Sequence, residues 1–125
     1  MFRGCCSRLL IYYCAVELFN QGTNECLRTA DGRQYVGTAS QTMSGRRCQQ
    51  WNSQSPHEHV FTEIDMFYDR NSGATIADVS NYCRNPLAGS LYKPLPWCYT
   101  ESSDVTWEFC NIARCRGTQY CNLQS

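Results

Sequence analysis

The sequence predicts a small, disulfide-rich, mostly β module in which loops outnumber regular elements. Three observations lead there: ten cysteines in 125 residues, few aliphatic side chains, and short runs of β-forming residues separated by turn signals. Cysteine at this density in a short chain points to a disulfide scaffold. Scarce leucine, isoleucine, valine and phenylalanine leave a small apolar core, and small cores offset little chain entropy. Cross-links that restrict the unfolded chain are the usual remedy, and they persist in oxidising compartments, so the predicted location is extracellular or secreted.

The turn signals dictate the loops. From Cys26 onward the chain is punctuated by Asp31-Gly32, Ser44-Gly45, Asn71-Ser72-Gly73, Asn85-Pro86 and Ala88-Gly89-Ser90, which leave no room for long helices. Between them lie Gln34-Tyr35-Val36, Val60-Phe61-Thr62, Trp97-Cys98-Tyr99-Thr100 and Val105-Thr106-Trp107-Glu108-Phe109, read as short strands of small antiparallel ribbons.

Eleven basic and eleven acidic residues balance to a formal charge of zero, so no basic stripe is available to neutralise a nucleic-acid backbone. Nucleic acid is therefore not an expected partner. No apolar run approaches the roughly 20 residues of a membrane helix, and Leu9 to Val16 is the longest candidate, so no membrane span is expected.

The predicted organisation is an N-terminal flank (1–25), one module (26–115) and a polar tail (116–125). In the flank, Arg3 and Arg8 precede the apolar stretch Leu9 to Val16, an arrangement like a secretory signal interrupted by Arg8 and by Cys5-Cys6. The competing reading makes this flank the end of a preceding cysteine-bearing domain. Cysteine parity leans toward the second: loss of Cys5, Cys6 and Cys14 with a signal leaves Cys121 without an obvious partner.

Six cysteines, Cys26, Cys48, Cys83, Cys98, Cys110 and Cys115, enclose most of the aromatic and turn residues. Spacing alone cannot choose among the 15 pairings that six cysteines allow. The motifs around them are more specific. Tyr35 to Thr42, Ser44-Gly45 and Cys48-Gln49-Gln50-Trp51 are followed by Ser55-Pro56-His57 and Asn81-Tyr82-Cys83-Arg84-Asn85-Pro86. Pro96-Trp97-Cys98-Tyr99-Thr100 and Trp107 to Cys115 complete the series. In this order they resemble a kringle domain. The resemblance implies a nested pairing, Cys26 to Cys115, Cys48 to Cys98 and Cys83 to Cys110. Closing the long loop between Cys26 and Cys115 restricts the unfolded chain by about 4 to 5 kcal/mol in the entropy model.

Several motif residues have structural roles as their first reading. Trp51, Tyr35 and Tyr82 are expected to pack the core or its loops. Gly37 and Gly45 are expected at turns, and Asn81, Arg84 and Asn85 are expected to satisfy loop backbone groups.

Catalysis is not expected. No nucleophile segment of serine-protease type, Walker loop, dinucleotide fingerprint or His-Glu-x-x-His helix occurs. Pro56-His57-Glu58-His59 offers two imidazoles, but oxidised cysteines supply no thiolate to complete a metal site. Neither a metal nor a cofactor is expected.

Lysine-binding members of the kringle family combine an aromatic trough with a paired carboxylate and a cation, because each part offsets desolvation of a zwitterion. Here the resemblance places Trp97, Tyr99 and Trp107 in the trough, with Phe61 beside them. It also places Leu87 and Gly89 where those members carry the acidic pair, and Phe61 and Thr106 where they commonly carry a basic residue. Strong binding of free lysine is therefore not expected.

In place of the acidic loop stands Leu87 to Leu95, whose Leu87, Leu91 and Tyr92 are read either as an apolar contact patch or as cover for the core. A second departure is the long interval between Cys48 and Cys83. There Glu63 to Gly73, with exposed-looking Met66, Phe67 and Tyr68, is read as a recognition loop or, by preference, a tolerated surface extension. The function these features imply is an extracellular, non-enzymatic recognition module that binds a protein partner. The alternatives are a weak lysine- or glycan-binding kringle, or the kringle portion of a larger secreted serine protease or receptor.

Overall fold

The computed structural model describes residues 24–116. The signal-like segment, Cys5, Cys6, Cys14, Cys121 and nearly all of the polar tail lie outside the described residues. No helix among the described residues is long and apolar enough to cross a membrane.

Regular structure is sparse, as the turn signals require. Strand β1 (Trp97–Tyr99) and strand β2 (Trp107–Phe109) form a two-stranded antiparallel sheet. Its register pairs Trp97 with Phe109, Cys98 with Glu108 and Tyr99 with Trp107. Alternation along strands therefore sends Trp97, Tyr99, Trp107 and Phe109 to one face and Cys98 and Glu108 to the other. Helix α1 (Ile76–Val79) is a single turn whose start is fixed by Asp78, which accepts hydrogen bonds from the Thr75 amide (2.7 Å) and hydroxyl (3.1 Å). A 3-10 turn covers Ile64–Met66.

The runs around Tyr35 and Phe61 differ from the strands expected of them. Both are irregular, because their backbone groups are satisfied locally. The Tyr35 amide donates to the Gly32 carbonyl (3.0 Å), and the Phe61 amide to His59 Nδ1 (3.1 Å). Among the described residues neither run has a neighbouring strand to join, yet Tyr35 and Phe61 are both buried.

Three disulfides, Cys26–Cys115, Cys48–Cys98 and Cys83–Cys110, take the nested pairing. Two of them meet at the centre, where Cys48 and Cys83 Sγ are 3.8 Å apart and all four cysteines are buried. The third ties the ends of the module. Beside it the Leu27 amide donates to the Ala113 carbonyl (2.9 Å) and the Cys115 amide to the Leu27 carbonyl (2.8 Å).

Around the cysteines the core is aromatic. Trp51 meets Phe67 (5.1 Å), Trp97 (5.3 Å), Phe61 (5.8 Å) and Tyr99 (5.9 Å) edge to face, and its indole N–H donates to the Tyr82 carbonyl (2.7 Å). Gly37 serves packing and not a positive-φ turn: a Cβ there would lie 2.5 Å from both the Asn24 carbonyl oxygen and the Tyr35 hydroxyl. Gly45, at φ +86°, does occupy such a turn.

Polar motif residues hold the loops. Asn81 Nδ2 donates to the Cys48 carbonyl (3.1 Å). Arg84 is buried, forms a bidentate pair with Asp69 (2.8 Å for each bond), and donates to the carbonyls of Gly37 and Cys83. Its guanidinium also lies over the rings of Tyr35 (5.6 Å) and Tyr82 (5.5 Å).

Candidate functional site

The β1–β2 register builds the site. Trp97 and Trp107 meet with ring centroids 5.8 Å apart at 71°, and Tyr99 stands 5.0 Å from Trp97 at 72°. Trp107 is 37% exposed and Trp97 only 1%, so Trp107 is the accessible wall.

Trp97 is enclosed. Trp51 abuts it from the core, and Lys93 also packs on it, with its ammonium 4.9 Å from the Trp97 ring centroid and 3.8 Å from that of Trp107. The cation thus sits against two indoles at once. Its backbone is anchored by buried Asn85, whose Nδ2 donates to the carbonyls of both Lys93 and Asp31 (2.8 Å each). The Trp97 indole N–H has no acceptor among the described residues.

Tyr99 is half-buried, and burial pushes its phenol above the usual 10. Its ring stacks on His59 (5.0 Å, 18°) and less closely on His57 (6.4 Å, 28°). Each imidazole is already committed to the protein: His57 Nε2 contacts the Ser102 carbonyl (2.8 Å) and His59 Nε2 the Ser53 carbonyl (2.8 Å). Phe61 is 1% exposed and packs on Trp51 and Trp97, so it supports the aromatic face from within the core.

The loop residues lie outside this core. Leu87 (56%), Leu91 (45%) and Tyr92 (55%) are exposed, which removes core cover as their role. Tyr92 carries the Arg33 guanidinium 4.7 Å above its ring, and Arg33 pairs with Asp31 at 3.1 Å. Lys93 was not singled out by sequence reasoning, and neither was its anchor. The available signal was that Lys93 is the sole charged residue from Leu87 to Thr100.

The extension between Cys48 and Cys83 also departs from its surface reading. Phe67 is buried against Trp51, Asp69 holds Arg84, Met66 is half-buried, and Tyr68 alone of the three is exposed.

Among the described residues, Cys48, Cys83, Cys98 and Cys110 bring their sulfurs within 4.8 Å of one another. As two disulfides they hold no thiolate for a metal.

Sparse β structure, three nested disulfides and an aromatic face reached through one exposed indole define a small disulfide-stapled, loop-rich module. The kringle domain family matches residues 26–115, and the chain belongs to that family. It is 45% identical over 85 residues to "Plasminogen" of Capra hircus, covering 68% of this chain and 60% of that protein. It is 42% identical over 91 residues to "Putative apolipoprotein(a)-like protein 2" of Homo sapiens, covering 73% of this chain and 60% of that protein. The chain thus spans about 60% of the length of these relatives. Kringle domains are non-catalytic extracellular modules that mediate protein–protein interactions.

Proposed function

We propose that this kringle docks its parent protein onto an extracellular protein partner through Trp107 and the Leu87–Tyr92 loop, and that it lacks a strong site for free lysine. The observation that carries the reading is the Lys93 ammonium, 3.8 Å from the Trp107 ring centroid and 4.9 Å from that of Trp97. A ligand cation entering the trough meets a like charge already there, and desolvating two ammonium groups together is unfavourable. Leu87 and Gly89, at positions carrying carboxylates in lysine-binding kringles, offer nothing to compensate. Exposed Leu87, Leu91, Tyr92 and Trp107 supply apolar and aromatic surface of the kind that anchors protein contacts.

The module acts as part of a secreted protein or of the ectodomain of a cell-surface protein, with the division 1–25, 26–115 and 116–125. Titration of the oxidised chain with a lysine analogue, followed by tryptophan fluorescence, tests the reading. The expected result is no saturation below millimolar concentration; submillimolar saturable binding overturns it.

A further inference from the structure

The charge in the trough also restricts what can dock. We propose that the trough recognises a carboxylate: the partner presents an aspartate or glutamate flanked by apolar residues, and Lys93 is the cation that selects it. This inference rests on the protein-docking reading and adds the chemistry of the partner.

Four observations converge on it. First, the Lys93 ammonium is held against two indoles, and among the described residues no carboxylate lies within 4.0 Å of it and no acceptor takes its protons. Ring faces attract the charge but leave its three N–H donors without an anionic acceptor. Second, the position is built: buried Asn85 fixes the Lys93 carbonyl at 2.8 Å and Pro94 stiffens the next residue. Third, the charge is unopposed along the loop, because Leu87 to Thr100 contains no aspartate or glutamate. The cation on the neighbouring Tyr92 ring, Arg33, is already paired with Asp31 at 3.1 Å, so Lys93 is the charge left to meet an incoming anion. Fourth, the loop that carries Lys93 exposes Leu87, Leu91 and Tyr92, and Trp107, the indole nearest the ammonium, is exposed as well. A carboxylate meeting an ammonium at such a surface is less screened than in open solvent, and apolar neighbours on the peptide cover the exposed side chains.

Elsewhere, a polar groove of about 450 Å³ is lined by Thr38 to Thr42, Arg47 and Asn111. Its one cation already faces Glu101 at 3.6 Å and is largely exposed, so it does not compete as an anion site.

The test uses the full oxidised chain and three sets of capped peptides in which Glu, Gln or Lys sits between leucine and phenylalanine residues, with binding read by tryptophan fluorescence. Glu peptides are expected to bind about tenfold or more tighter than their Gln counterparts, the range of a charge-assisted hydrogen bond. Lys93→Met is expected to abolish that preference and Lys93→Arg to retain it. Lys93→Glu is expected to shift the preference to the Lys peptides, a reversal that a misfolded variant cannot produce. Equal binding of Glu and Gln peptides that is lost in Trp107→Ala overturns the carboxylate assignment and leaves the docking reading standing. Preference of the unmodified chain for Lys peptides overturns both. Absence of binding by any Glu peptide also overturns the carboxylate assignment.

Discussion

His59 donates through Nε2 to the Ser53 carbonyl, because a carbonyl can only accept, and its Nδ1 therefore accepts the Phe61 amide. A second proton on this ring must go to Nδ1 and displace that amide. Burial pushes the His59 pKa below the usual 6.5, against the opposing effect of its backbone hydrogen bonds. The unfolded chain then takes up the proton more readily than the folded one. Stability is fully present above about pH 6.5 and falls as pH drops from there toward the folded pKa. Urea melts at pH 7.5 and pH 5 are expected to show lower stability at the acid value, with a smaller difference in His59→Gln. A ring-proton NMR titration with its midpoint at or above 6.5 would contradict this assignment. The consequence reaches the site, since His59 stacks on Tyr99 and its Nδ1 sets the backbone of Phe61.

At the scale of elements, the segment from Glu63 to Gly73 behaves as part of the core frame. A short 3-10 turn directs Phe67 inward against Trp51, and Asp69 follows it onto Arg84. Arg84 in turn donates to the Gly37 carbonyl, where a glycine is required because its neighbours leave no space for a side chain. One guanidinium thus links three loops. Removing one partner of such a buried pair leaves the other charged and uncompensated, so Asp69→Ala is expected to lower the unfolding free energy by about 3 kcal/mol. Guanidinium denaturation gives the value, and a change below about 1 kcal/mol, the range of surface pairs, would show the pair to be dispensable. The sheet illustrates the opposite case, where local sequence suffices. Trp97-Cys98-Tyr99 and Trp107-Glu108-Phe109 alternate in type, and antiparallel pairing gathers their four aromatics on one face.

For the molecule as a whole, the disulfides supply both constraint and core. Cys26 and Cys115 are 89 residues apart in sequence, so their bridge restricts the unfolded chain by about 4 to 5 kcal/mol in the entropy model, though nested bridges do not add fully. Cys48, Cys83, Cys98 and Cys110 also belong to the buried core. Full reduction is therefore expected to unfold the module, with loss of near-ultraviolet circular dichroism and greater exposure of Trp51. A reduced chain that kept its near-ultraviolet signal would contradict this.

The cysteine-rich, loop-rich β character was legible in the sequence because it rests on composition and turn chemistry, and the aromatic residues of the site were legible through the kringle motifs that carry them. The resemblance to a kringle domain implied the pairing that the structure shows. Sequence alone could not say that Phe67 turns inward, because a single apolar residue among polar ones carries no period that fixes its direction. Nor could it place Lys93. That side chain reaches the Trp97 and Trp107 rings only because Asn85 holds the Lys93 carbonyl and the β1–β2 register brings the two indoles together. The sequence by itself determined a loop-rich, cysteine-stapled module, and its kringle motifs implied which aromatics gather and which cysteines pair. The tertiary structure alone decided that the gathered face holds a positive charge, because that depends on the path of one loop across it.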